Sequence, residues 1–328
     1  MATGLGHKAT IGFGTESTYG TFAVATNWVE LNAGGDGLTV TEERLHSASV
    51  YGLSQRLATM GQGAITVGGD ISFDMRYGGA EILLRAAMGT VESTQMGGTD
   101  SNEYKHVFKI NDTLTATEKA FLSISMDKDV TGFRASGVMI NTMDLAISNT
   151  GFLTCTLGLI GKDIGTGTVE SASLGTEPLV VFSEGALTYG GSSVPVTAAS
   201  IHLDNKLSTD RRFIGSRYIS QPLRTGKLEV TGSFTCEFDG TGEYKDFRDA
   251  QERALELKFT GTAINDGGTE SWTFDIDCAN IRLTGGMPVV DNEGVIHLEA
   301  PFKAYSSGTG TGTRELEITL INNTTSIP

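Results

Sequence analysis

Little in this sequence belongs to a membrane, nucleic-acid-binding or disulfide-stapled protein. No apolar run approaches the length needed to cross a bilayer, and no basic segment followed by an apolar core stands at the N-terminus. Only three cysteines occur, Cys155, Cys236 and Cys278, with neither an even framework nor metal-type spacing. Each reads as a small buried residue, in a chain expected to be made and kept in a reducing cytoplasm. Basic residues are scarce, and a net charge of -15 argues against wrapping nucleic acid, which needs basic patches to neutralise phosphate. The densest basic cluster, Arg211-Arg212 with Asp210 before it and Arg217 after it, reads as a solvated or interface loop.

Catalytic signatures are missing as well. The five histidines, His7, His46, His106, His202 and His297, are scattered with no partner at metal spacing. Gly4-Leu-Gly6 and Gly12-Phe-Gly14 lack the Lys-Ser or Lys-Thr of a phosphate loop, and Gly191-Ser-Ser193 is no nucleophile elbow. Asp127-Lys-Asp129 and Asp239-Gly-Thr-Gly-Glu243 are short of calcium ligands and read as turns. The chain is therefore expected not to be an enzyme, and no cofactor or metal is expected.

What is present is β pattern, with 43 glycines against 6 prolines and few segments of helical period. From Gly63 to Met75 apolar residues fall on every second position: Ile65, Val67, Ile71, Phe73, with Asp70 and Asp74 between them. The same alternation returns from Gly226 to Phe238, as Leu228, Val230, Phe234 and Phe238 with Glu229 and Glu237 between. Gly69 and Gly232 interrupt the two copies at the same point, marking a bulge or a close backbone approach. One constant shift also carries Leu38 onto Ile201, Val40 onto Leu203 and Gly52 onto Gly215 without an insertion. Helix candidates follow each copy, at 79–88 with Gly89 as its stop, and around Tyr244, Phe247 and Ala250.

The expected fold is mainly β: two tandem homologous β-sandwich or half-barrel domains, each with one flanking α-helix. An N-terminal arm (1–27) precedes a first domain (28–162). A linker with a possible hairpin of 179–182 with 186–189 (163–195) leads to a second domain (196–305), and a C-terminal segment carries a terminal strand (306–328). Polar residues from Ser93 to Glu103 read as a loop.

Three stretches resemble the tail tube proteins of long-tailed bacteriophages. They are Ile11-Gly-Phe13-Gly-Thr-Glu16-Ser-Thr-Tyr19-Gly20, the Gly-x-Ile/Leu-x-Val-x-Gly strand before a helix, and Gly294-Val-Ile-His-Leu-Glu-Ala-Pro-Phe302. The resemblance implies a virion protein, assembled in the host cytoplasm, whose subunits form stacked rings around a DNA conduit. With the domain duplicated, it implies three chains in a pseudo-sixfold ring, six chains being the alternative. It also implies a tape measure protein, a tail terminator and tail-tip proteins as partners, and DNA that passes without specific binding; no membrane is involved. An acidic wall would let DNA slide, since cationic walls trap it through counterion release. Asp70, Asp74, Glu229 and Glu237 are the candidates for that wall, solvent or a neighbouring ring being the other reading of their face. The competing function is a monomeric β-sandwich binding module of the adhesin type, against which the missing signal segment and disulfides count.

Overall fold

The computed structural model describes residues 3–47, 60–96, 102–264, 268–290, 293–306, 314–325 and 327. Gly52, matched to Gly215 above, and residues 97–101 of the loop expected from Ser93 to Glu103 lie outside them. The chain is mainly β, as its alternation requires. The first half contains β1 (Ala9–Thr15), β2 (Asn27–Val29), β3 (Leu31–Asp36), β4 (Thr39–His46), β5 (Met60–Asp74), helix α1 (Glu81–Met88), β6 (Gly89–Gln95), β7 (Tyr104–Ile110), β8 (Leu122–Lys128), β9 (Gly132–Ser148), β10 (Thr154–Gly161) and β11 (Asp163–Gly167). The rest contains β12 (Gly185–Tyr189), β13 (Ser192–Val194), β14 (Val196–Asp204), β15 (Glu229–Glu237), helix α2 (Gly242–Arg248), β16 (Arg253–Ala263), β17 (Ser271–Leu283), β18 (His297–Ala304) and β19 (Glu317–Asn322).

Two antiparallel layers share one core. The inner layer runs β4–β5–β10–β9–β14–β15–β18 and ends on the last residues of β17. Across it β9 joins the two halves, Met143 standing opposite Leu203 and Leu145 opposite Ile201. The outer layer is β2–β1–β8–β9–β11 in one half and β13–β12–β16–β17–β19–β7–β6 in the other. Ile65, Val67, Ile71, Phe73, Val230 and Phe234 are buried between the layers, with Leu228 and Phe238 partly buried against them.

The ladder of the first half recurs in the second. Val40 opposite Val67 becomes Leu203 opposite Val230. Phe73 opposite Cys155 becomes Cys236 opposite Leu298. Met126 opposite Phe133 becomes Leu257 opposite Ile276, and the register shift beside Leu122 recurs beside Arg253. The paired glycines have one structural cause: a Cβ on Gly69 would overlap the Gly37 carbonyl, and a Cβ on Gly232 the Ser200 carbonyl, which occupies the same place in the second copy.

Several expectations change in detail. Residues 9–15, assigned to an arm, form a strand held between β2 and β8. The hairpin within 163–195 pairs β12 with β13, while Leu179 and Val181 make only isolated bridges to Arg76 and Phe152. The stretch from Ser93 includes the end of β6, a strand carried by its ladder to β7 and not by any apolar alternation.

The two helices differ in depth. Ile82, Leu83, Leu84 and Met88 of α1 are all buried, each contributing about 2 kcal/mol of apolar transfer, whereas α2 has no buried residue. The chain's far end secures α1: Glu81 is buried and accepts from Asn322 Nδ2 (2.7 Å) and Thr324 Oγ1 (2.9 Å).

Candidate functional site

Alternation directs the side chains of the inner sheet. With Ile71, Phe73, Phe234 and Cys236 turned to the core, the four acids singled out in the sequence lie on the opposite face of the same layer. Asp70 and Glu237 are exposed; Asp74 is half-buried and accepts from Asn32 Nδ2 at 3.0 Å. Glu229 is paired with Lys303 and, at 3.3 Å, with Lys206. Lys303 and then Lys206 hold its carboxyl below the ordinary range, and Asp204 before Glu229 pushes the Lys206 ammonium up. The sequence separates these partners too widely for any spacing rule to join them.

The face is continuous across strands. One row reads Ser72, Thr156, Asp144, His202, Thr231, Lys303 and Arg282, each opposite the next on neighbouring strands from β5 to β17. Within it Ser72 Oγ and Thr156 Oγ1 are 3.1 Å apart, and His202 Nδ1 meets Asp144 Oδ1 at 2.5 Å across the joint between the halves. A second row, Asp74, Thr154, Ala146, Ser200 and Ser233, presents short side chains. Acids outnumber bases, but Lys206, Lys303, Arg282 and His202 interrupt the acidic wall anticipated from the sequence.

The basic cluster has a positioning role. Arg212 donates to the Ile65 carbonyl and Thr66 Oγ1, both at 2.9 Å, and Arg217 to the Gly63 carbonyl at 3.0 Å and to Glu42. These bonds lay the loop after β14 back across β4 and β5 of the other half.

Chemically, the face offers hydrogen bonding and charge. Among the described residues His202–Asp144 is the histidine–carboxylate pair on it, and no serine hydroxyl or cysteine thiol is hydrogen-bonded to that imidazole. All three cysteines are buried, and burial pushes the Cys236 thiol up to about 11 and that of Cys278 up to about 12. Among the described residues no group of three His, Cys, Asp or Glu side chains is placed to hold a metal ion, and no helix is long and apolar enough to cross a membrane.

Fold and face together define a layered, mainly β protein that presents one broad polar sheet face. The phage tail tube protein family matches residues 6–304, and the chain belongs to that family, as a structural component of the virion tail. No curated protein sequence matches it. Among solved structures, the chain is locally similar to one described as "Crystal structure of Hcp protein", with 15% identity, a TM-score of 0.25 and coverage of 34% of this chain and 66% of that one.

Proposed function

We propose that three copies of this chain close head to tail into a pseudo-sixfold ring, and that stacked rings form a tube whose inner wall is the polar face described above. The single observation that carries this reading is the repeated ladder: one chain supplies two consecutive sheet units already joined edge to edge through β9 and β14. The first unit runs from β1 to β11. The second begins at β12 and not at 196, because β12 lies between β13 and β16 as β1 lies between β2 and β8. Heterologous contacts of this kind make rings when the rotation closes.

The wall fits a conduit for DNA leaving the virion. Its acids are in excess without forming an unbroken anionic surface, its cations are mostly engaged by carboxylates, and Ser and Thr stand between the charged positions of its rows, so phosphate meets no deep well. The tape measure, terminator and tail-tip proteins of the family are the further partners this reading implies, with assembly in the host cytoplasm. Negative-stain microscopy and mass photometry of the purified chain test it. Rings or hollow tubes built from multiples of three chains are expected; a monodisperse monomer at high concentration refutes it.

A further inference from the structure

The inner sheet ends differently on its two sides. At one end β4 pairs, among the described residues, only with β5, and Val40 is 47% exposed. At the other, the chain leaves β17 at Leu283 and continues through 285–290 with no strand partner among the described residues. Met287 is 69% and Val290 71% exposed there, with Val289 also open. Both ends thus show apolar side chains and unpaired backbone, an arrangement that normally invites a partner strand.

The chain contains a copy of the contact that would cover them. β14 is the counterpart of β4, since Leu203 opposite Val230 repeats Val40 opposite Val67. Residues 285–290 are the counterpart of 142–147 in β9. Gly285 lies against Pro301 as Thr142 lies against Gly158, and buried Gly286, beneath Phe247 of α2, stands where buried Met143 stands. Between β9 and β14 those counterparts are already zipped together over Thr142–Ser148.

We infer, on the ring reading above, that residues 285–290 of one chain become a strand on β4 of the next copy in the register of the internal joint. Leu203 opposite Met143 sets Val40 opposite Gly286; His202 opposite Asp144 sets Thr39 opposite Met287; Ile201 opposite Leu145 sets Leu38 opposite Pro288. Val40 is then covered as Leu203, at 0% exposure, is covered now. Gly285, Gly286 and Pro288 explain why the segment is not a strand in the single chain: glycine resists ordering, and proline supplies no ladder donor. The edge stays unpaired until a second copy orders it. The contact also differs from its internal model in charge, because the His202–Asp144 pair is replaced by Thr39 and Met287.

Cysteine pairing reads the register. In Thr39→Cys/Met287→Cys protein, oxidation of the assembled material is expected to give covalent dimers and closed trimers, with none from either single variant and none from the displaced pair Leu45→Cys/Met287→Cys. The native thiols, all buried, do not compete. Hydrogen exchange on the wild-type chain gives a variant-free reading: amides of Met287, Val289, Val290 and Thr39–Thr41 are expected to slow at least about tenfold on assembly. Rings that form while these amides keep their monomer rates, or that cross-link only at the displaced pair, overturn the inference and leave the ring reading intact. Failure of the wild-type chain to form rings removes both.

Discussion

Asp275 is a carboxylate whose replacement is expected to stabilise the protein. It lies on β17 facing away from the core, between Lys258 of β16 and Thr319 of β19. Its side chain is 18% exposed, the Lys258 ammonium stands 3.9 Å away, and Oδ1 has no hydrogen-bond partner among the described residues. Burial and then the Glu256 carboxylate push its pKa from 3.8 up to about 6, against the pull of Lys258. In the adjacent row Glu256, Asp277 and Glu317 stand directly opposite one another on three strands, and burial followed by Glu317 raises Asp277 too. Like charges directly opposite destabilise a sheet.

The folded Asp275 carboxyl therefore holds its proton more tightly than the unfolded one. Its cost to folding is nil below pH 3.8, grows as the pH rises through 6, and is complete above that. At 1.36 kcal/mol per pH unit the full cost is about 3 kcal/mol, an upper bound because the group keeps some contact with water. Asp275→Asn keeps the shape and removes the charge. Urea unfolding of wild type and variant, at concentrations where both are monomeric, is expected to show a gain of about 2–3 kcal/mol at pH 8 that shrinks to less than about 1 kcal/mol at pH 4. Titrating groups that do not interact with Asp275 cancel in the difference. No gain at pH 8, or the same gain at both pH values, refutes the reasoning.

Glu16 is a contrasting case: fully buried, it accepts from the Gly20 amide (2.7 Å), the Gly137 amide (2.8 Å) and Ser123 Oγ (2.7 Å), so Glu16→Ala is expected to cost roughly 3 kcal/mol or more in the same unfolding assay. Gly69→Ala and Gly232→Ala each place a methyl on a neighbouring carbonyl and are expected to cost about 1–3 kcal/mol or more, the larger penalty falling at Gly69, whose φ of +145° adds backbone strain; an unaffected melting temperature in either would contradict the shared close approach. Asp70→Lys together with Glu237→Lys alters two exposed side chains of the polar face, and is expected to leave rings intact in micrographs while slowing DNA ejection from reconstituted virions; unaltered ejection removes these residues from the wall. Image reconstructions without imposed symmetry are expected to show six similar units at the inner radius and three at the outer, and six at every radius would count against the assignment of β6 and β7.

Legibility in the sequence followed how locally each residue's reason acts. Strands β5 and β15 announce themselves because their core positions Ile65, Val67, Ile71, Phe73, Val230 and Phe234 alternate, and because the same carbonyl approach demands glycine in both. Strand β1 is rich in the glycines that make it fit: a Cβ on Gly12 would strike the Trp28 ring, and one on Gly14 the Val24 carbonyl, so a strand crossed closely by its own return segment has the composition of a loop. Strand β11 lies in a Gly/Thr stretch for which the partner β9 supplies the order. On the polar face, alternation placed Asp70, Asp74, Glu229 and Glu237 on one side, while the cations beside them depend on strand pairing. Lys303 reaches Glu229 only because β18 lies on β15, and His202 reaches Asp144 only because β14 lies on β9.

The halves are unequal in a way that follows from one insertion. Helix α1 runs through Gly89 into β6 and β7 before the chain reaches β8, whereas α2 leads within a few residues to β16. Strand β7 pairs with β19, and β19 lies on β17 where β11 lies on β9. The hairpin of the first half therefore extends the outer layer of the second, and the edge of β11 has no matching strand in this chain among the described residues. His106 on β7 reinforces the link, its Nε2 lying 2.9 Å from the Thr324 carbonyl. The inner layer, where register recurs residue by residue, is free of this insertion. In the ring proposed above, three such chains would keep six near-equivalent wall units, whose spacing a ring must preserve, while the outer surface diverges. Divergence there is tolerated because the extra strands are held by the same chain and leave the β4 and 285–290 edges uncovered.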